Sequence, residues 1–201
     1  MARFEFKTHV SPKVEAMWCF LSAPQAPFKE GAAAMYAITG ILDDTEDNRA
    51  WIDGIISTAQ AEAKKAGVKL KKVFHNPFEF PEDVDEDEYL VDPATGKSKR
   101  PEQFRGKIIF KAKTQFQPGQ IDSARVDLPP DVKIFGGDIV KIKFAAEPYE
   151  NGANSGITLR LRTVQLLEKR TSFNRGPDTD GFEDEDGYRA GGGGGEGHED
   201  F

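Results

Sequence analysis

Three segments in the second half of the chain alternate apolar and basic side chains, and this pattern limits the possible folds more than any other feature. They span residues 107–116, 138–146 and 157–167. In the second segment, Val140, Ile142 and Phe144 alternate with Lys141 and Lys143. Side chains two residues apart on a strand share a face, so each segment predicts a strand with one apolar and one basic face. The chain is therefore expected to be rich in β-structure.

The basic faces of these strands are the main candidate for a binding surface. Their residues are Lys111, Lys113, Lys141, Lys143, Arg160 and Arg162. In the third segment the alternation changes phase before Val164, which predicts a β-bulge. Basic side chains can simply keep an exposed strand soluble. Because three strands repeat the pattern, a track for the phosphates of a single-stranded nucleic acid is favoured.

Aromatic side chains near strand ends could stack on bases. Tyr149 is expected to stand exposed in a loop beyond the second strand, and it is the leading candidate. Phe116 and Phe135 also lie at element ends, although each could instead plug the rim of a barrel. Most of the fifteen phenylalanines must serve the core, and Phe110 and Phe144 are predicted there.

One amphipathic helix is predicted over residues 45–66 as a cap on the barrel. Asp44 or Thr45 can cap its first turn, Lys64 and Lys65 suit its last turn, and Gly67 follows it. Further strands are predicted over residues 4–8, 16–21, 34–42 and 68–74. The proline-containing segment 76–105 is expected to be a long acidic insertion with little room for core, and its cluster 82–88 to be solvated.

Charge divides the chain into a folded domain, residues 1–175, and a tail, residues 176–201. The net charge is -7, but the tail holds nine acidic residues and one basic residue, a net of -8. The remaining 26 basic and 25 acidic residues give the domain +1. The tail is rich in glycine and lacks apolar periodicity, so it is expected to be disordered.

Enzymatic functions are disfavoured. The three histidines are scattered and there is one cysteine, Cys19, so no zinc site and no cofactor are expected. A nuclease with dispersed Mg²⁺-binding carboxylates is the remaining enzymatic alternative. The lone cysteine, the absence of a secretory signal and the lack of a long apolar run indicate a cytoplasmic protein.

The sequence resembles the single-stranded-DNA-binding proteins of tailed bacteriophages, especially the short-tailed podophage type. The resemblance rests on Lys-Ile-Phe-Gly-Gly at 133–137, the strand and the Glu-Pro-Tyr at 147–149 that follow, the amphipathic helix, and an acidic tail ending in Glu199, Asp200 and Phe201. It covers about half of the chain. The five-glycine run in the tail and the acidic cluster 82–88 depart from the family pattern.

The resemblance implies an OB-fold, a five-stranded Greek-key β-barrel that is often dimeric and coats single-stranded DNA during phage replication, recombination and repair. It implies that Tyr149 stacks on bases. It also implies that the tail, through Phe201, contacts the replicative DNA polymerase and helicase-primase and competes with DNA for the basic groove. Two alternatives remain open: an RNA-binding protein or general nucleic-acid chaperone on the same barrel, and an adaptor that acts only through its tail.

Overall fold

The computed structural model describes residues 4–27, 31, 33–71, 74–93 and 95–170. Nine strands and one long helix account for most of these residues. The strands are β1 (Thr8–Val10), β2 (Val14–Gln25), β3 (Met35–Asp43), β4 (Phe74–His75), β5 (Phe78–Glu79), β6 (Lys107–Thr114), β7 (Gly119–Ile121), β8 (Ile139–Asn151) and β9 (Asn154–Glu168). Helix α1 (Glu46–Ala66) follows β3, and three short 3-10 helices lie between β5 and β6.

Five of the strands close into a barrel. β2 pairs antiparallel with β3, β3 with β6, and β8 with both β9 and β2, while β6 and β9 run parallel and complete the ring. The third barrel strand therefore neighbours the fifth, and the fourth returns to the first. This arrangement confirms the predicted fold class, an OB-type five-stranded barrel with one helix.

The apolar faces predicted from the alternation fill the barrel. Ile142 and Phe144 of β8, Phe110 of β6 and Leu159 of β9 are almost completely buried. Trp51 of α1 lies against the rings of Phe78, Phe110 and Phe144, with centroid distances of 5.8, 6.3 and 6.2 Å. The helix therefore closes one side of the core, as predicted.

The helix begins and ends where its capping residues predict. Thr45 is extended, and its hydroxyl oxygen accepts a hydrogen bond from the Asn48 amide at 3.2 Å. At the other end, Gly67 adopts the left-handed conformation with φ of 73°. The predicted bulge in β9 is also present: Leu161 pairs with Phe144 and Thr163 with Lys143, so Arg162 is the extra residue.

Two predicted strands are wrong over most of their length. Residues 4–7 lie outside the sheet, because the Lys7 amide donates to the Glu62 carboxylate of α1. Of the described residues 68–71 and 74, only Phe74 joins a strand; the Lys71 amide donates instead to the Ser155 hydroxyl at 2.7 Å. Side chains satisfy these amides in place of a strand partner.

Segment 76–105 contributes more to the core than predicted, whereas its acidic cluster 82–88 is solvated as expected, with every acidic residue except Glu88 exposed. Phe78 is buried in the main core, and Tyr89 and Phe104 form a second small cluster with Ile41. The three glutamates of the acidic cluster form ion pairs: Glu82 with Arg49 at 2.7 Å, Glu88 with Arg100 at 2.5 Å, and Glu86 with Arg105. The hydrogen bonds from Arg49 lower the pKa of Glu82 to about 2. These ion pairs hold part of the acidic cluster against arginines that are distant in the chain. Composition alone does not reveal them.

Candidate nucleic-acid interface

The parallel strands β6 and β9 carry a basic patch on the outside of the barrel. Lys111 and Lys113 are exposed on β6, while the inward residues beside them are buried. Lys113 is the register partner of Arg160 on β9. The predicted alternation thus brings these three basic residues together because β6 and β9 are neighbours.

Four depressions of about 370, 450, 390 and 390 Å³ lie along this patch, each sharing lining residues with the next, and together they are here called the outer groove. The depression beside Trp18 shares Lys111 with the depression beside Tyr149. The depression beside Tyr149 shares Lys113 with the depression beside Met35. The depression beside Met35 shares Phe116 and Arg160 with the depression beside Phe4. A strand lying in the outer groove would meet basic side chains along its whole path.

Tyr149 lies in this groove but not in the setting predicted for it. It belongs to β8, is half-buried, and pairs with Gly156 of β9. A Cβ atom at residue 156 would lie 3.0 Å from the Tyr149 hydroxyl and 2.6 Å from the His75 carbonyl oxygen. The prediction of an exposed loop residue is wrong because the β8–β9 hairpin continues to Asn151 and Asn154. Tyr149 is instead held in place by its strand.

Phe116 is the most exposed large apolar side chain of the described residues, at 70%. It follows the end of β6 and lines the two depressions nearest Arg160. Phe116 does not plug the barrel, so its ring is free to contact a ligand in the outer groove.

Trp18 is an aromatic groove residue that sequence reasoning missed. Trp18 lies within the predicted strand 16–21, yet 48% of it is exposed, and it adopts a φ of 46° at a register shift in β2. Its ring meets Phe104 edge-on at 5.2 Å. Positive φ is unusual for a bulky residue and is found disproportionately at functional sites. The apolar run in the sequence gave no signal of this bulge.

The opposite end of the groove is formed by a segment predicted as a strand. Phe4 and Phe6, with ring centroids 4.8 Å apart, line the depression that holds Arg160 and Arg162. Their contribution was also missed, because it depends on the docking of residues 4–7 through Lys7 and Glu62.

The groove carries an excess of positive charge. Six basic and four acidic side chains line it. Glu147 accepts a hydrogen bond from Arg160 at 2.7 Å and lies 4.0 Å from Arg162. Lys111 and Lys113 form no ion pair with any other described residue, so they are the cations most available to an external phosphate.

Three predicted site residues lie elsewhere. Lys141 and Lys143 pair with Gln165 and Thr163 of β9, on the half of β8 that borders none of the four depressions. Phe135 is 54% exposed and precedes β8, so roughly 30 Å of strand separates it from Tyr149 at about 3.3 Å per residue. Lys169 lies over its ring at 5.0 Å. Their predicted role in nucleic-acid binding stays a prediction.

The predicted partner-binding residues Glu199, Asp200 and Phe201 lie outside the described residues, as do the tail and the predicted domain boundary after residue 175. Across the described part of the chain, no three His, Cys, Asp or Glu side chains are grouped to hold a metal ion. No described helix is long and apolar enough to cross a membrane.

Comparison with solved structures supports the fold. The single-stranded DNA-binding protein of bacteriophage Enc34, solved in complex with ssDNA, aligns with a TM-score of 0.60 and 18% identity, over 81% of this chain and 87% of that chain. The single-stranded DNA binding protein gp2.5 of bacteriophage T7 aligns with a TM-score of 0.56 and 20% identity, over 92% and 100% of the two chains. At these identities the likeness establishes the fold, and it confirms the resemblance to phage proteins at that level.

Sequence comparison adds nothing to this structural likeness. No protein-family model matches the chain, and no curated protein matches its sequence.

Proposed function

We propose that this protein binds single-stranded DNA in the outer groove without strong sequence preference. The observation that carries the proposal is the continuity of the groove from Trp18 through Tyr149 to Phe116, with unpaired lysines between the rings. Aromatic rings accept any base face, and stacking contributes about 1 to 3 kcal/mol per base. A neighbour of the same fold was solved with ssDNA, which supports this choice of ligand.

The contact path consists of Lys111, Lys113, Arg160 and Arg162 for phosphates, and Trp18, Tyr149 and Phe116 for bases. About four phosphate contacts give a slope near -3 for log affinity against log salt, at about 0.7 per contact on a single strand. An adaptor that acts only through its tail would show no DNA affinity at any salt concentration.

In its biological setting the protein coats single strands during phage DNA replication, recombination and repair, as the family resemblance implies. Its tail recruits the replicative DNA polymerase and helicase-primase, with Glu199, Asp200 and Phe201 as the contacting end. The tail carries -8 and also competes with DNA for the outer groove. Because the tail belongs to the same chain, its effective concentration near the groove is roughly millimolar. The resemblance implies a homodimer, and sedimentation of the full-length protein distinguishes a dimer from a monomer.

The deciding experiment is a titration of the full-length protein with oligo(dT) at several salt concentrations, with RNA and duplex DNA as competitors. Oligo(dT) should bind with the slope given above and resist displacement by duplex. RNA displacing it equally well would instead support a general nucleic-acid chaperone.

The matched pair of variants is K111Q/K113Q and K141Q/K143Q, each of which removes two lysines from the outside of the barrel. The first should weaken binding and reduce the salt slope, while the second should have a much smaller effect. Equal losses would show that the contact path extends beyond the outer groove.

A further inference from the structure

The depression at the Phe116 end of the outer groove differs from the rest because it combines aromatic walls with a carboxylate. It has a volume of about 390 Å³ and is lined by Phe4, Phe6, Phe116, Glu147, Arg160 and Arg162. Glu5 also borders it and is exposed. This volume is within the range of roughly 300 to 1,000 Å³ typical of small-ligand sites. Three rings beside a hydrogen-bonding acceptor and two guanidinium groups suit a planar, polar-edged ligand.

Glu147 is the unexpected member of this set, because a carboxylate in the groove opposes phosphate binding. Its side chain is only 14% exposed. Oε1 accepts from Arg160 Nε at 2.7 Å and lies 4.0 Å from Arg162 Nη2. Within the described residues Oε2 has no hydrogen-bond donor. The pocket therefore offers one open acceptor, with the terminal N–H groups of Arg160 as donors beside it.

We propose that this pocket holds one nucleobase of the bound strand and favours bases with an exocyclic amino group over thymine. The inference rests on the proposed function, since it assumes that single-stranded DNA occupies the outer groove. An amino group can donate to Glu147 Oε2, while a guanidinium N–H donates to the adjacent ring nitrogen. Thymine places a carbonyl oxygen where the amino group would lie. Two acceptors then face each other, and neither is satisfied.

The sharpest probe compares thymine with 5-methylcytosine. These bases have the same ring size and the same methyl group, and they differ in the amino and carbonyl groups and in the protonation of the ring nitrogen. Oligonucleotides of equal length carrying one or the other base throughout are titrated by fluorescence anisotropy at one salt concentration. The wild-type protein should bind the 5-methylcytosine strand about fivefold more tightly, the low end for a paired base contact.

Two variants assign the preference to Glu147. In E147Q the amide oxygen can still accept from Arg160, which leaves the amide nitrogen, a donor only, in the place of Oε2, so the preference for 5-methylcytosine should be lost or reversed. D53N removes the same charge from an exposed residue of α1 that borders none of the four depressions, and it should keep the preference. Far-UV circular dichroism and thermal melting establish that both variants are folded.

The possible results separate this inference from the proposed function. Equal wild-type affinity for the two strands would overturn the base pocket and leave groove binding intact. A preference that E147Q retains, or that D53N loses as well, would overturn the role of Glu147. No affinity for either strand would overturn the proposed function as well. The wild-type comparison needs no variant, so a misfolded E147Q does not prevent the test.

Discussion

Lys113 and Arg160 are register partners on the parallel strands β6 and β9, and both side chains lie on the outside of the barrel. Like charges directly opposite each other on neighbouring strands destabilise a sheet. Arg160 is partly compensated by Glu147 at 2.7 Å, whereas Lys113 forms no ion pair within the described residues. This pair therefore costs stability in the free protein and favours an anion between the strands.

We predict that K113Q stabilises the free protein and weakens its binding of single-stranded DNA. Removing one of the two like charges relieves repulsion, and the loss of one phosphate contact should reduce the salt slope by about 0.7. Thermal melting and salt-varied titration measure the two effects. K64Q, which changes a lysine in the last turn of α1, is the control and should leave DNA affinity unchanged. A variant that loses stability and affinity together would indicate a structural role for Lys113.

Trp18 should report DNA binding by its fluorescence. The chain has two tryptophans, and Trp51 packs against core rings while Trp18 is 48% exposed in the outer groove. Adding oligo(dT) should quench the emission of the wild-type protein. W18F should keep the emission of Trp51 and lose the quenching. Quenching that persists in W18F would place the DNA away from this end of the groove.

Gly156 should tolerate no side chain. A Cβ atom there would lie 2.6 Å from the His75 carbonyl oxygen and 3.0 Å from the Tyr149 hydroxyl, so the backbone or the ring must move. We expect G156A to lower the melting temperature and to weaken oligo(dT) binding through displacement of Tyr149. G54A is the matched control, because nothing lies within 4 Å of a Cβ atom in the middle of α1. It should stabilise the helix by up to about 1 kcal/mol.

His9 should make stability depend on pH below neutrality. Burial against Phe144, followed by the charge of Lys7, lowers the pKa of His9 from its ordinary value of 6.5, and its buried Nε2 has no hydrogen-bond partner. The neutral form is favoured in the folded protein. Its contribution is therefore complete above pH 6.5 and is lost as pH falls through the lower folded-state pKa.

Melting temperatures at pH 7.5 and pH 5 test this prediction. The wild-type protein should lose more stability between these values than H9F, which keeps the ring and cannot titrate. Equal losses would show that His9 is not the source of the pH dependence.

Deleting residues 176–201 should tighten binding of single-stranded DNA. The deletion removes nine acidic residues and one basic residue, and with them the proposed intramolecular competitor. The gain in affinity should shrink as the salt concentration rises, because screening weakens the attraction of the basic groove for the acidic tail as well as for the DNA. Replacing Phe201 with alanine should leave DNA affinity unchanged and weaken capture of the polymerase. Unchanged DNA affinity in the deletion would argue against competition by the tail.

The sequence by itself determined the barrel strands, the capping helix and the segregation of charge. The two-residue alternation in β6 and β9 determines which face of each strand points into the barrel. Phe110 and Leu159 lie inside, and Lys113 and Arg160 lie outside. The helix was equally predictable, because Thr45 and Gly67 are local signals. Strand faces and helix caps depend on residues that are close together in the chain, so the sequence alone is enough to predict them.

Only the tertiary structure decided which outward residues share one surface. Lys141 and Lys143 have the same alternation as Lys111 and Lys113, yet closure of the barrel places them beyond the outer groove. A bulge in β2 exposes Trp18. Which outward-facing residues lie next to one another depends on strand order, on bulges, and on ion pairs between residues far apart in the chain. Periodicity indicates which face of a strand a side chain occupies, but barrel curvature decides what that face meets.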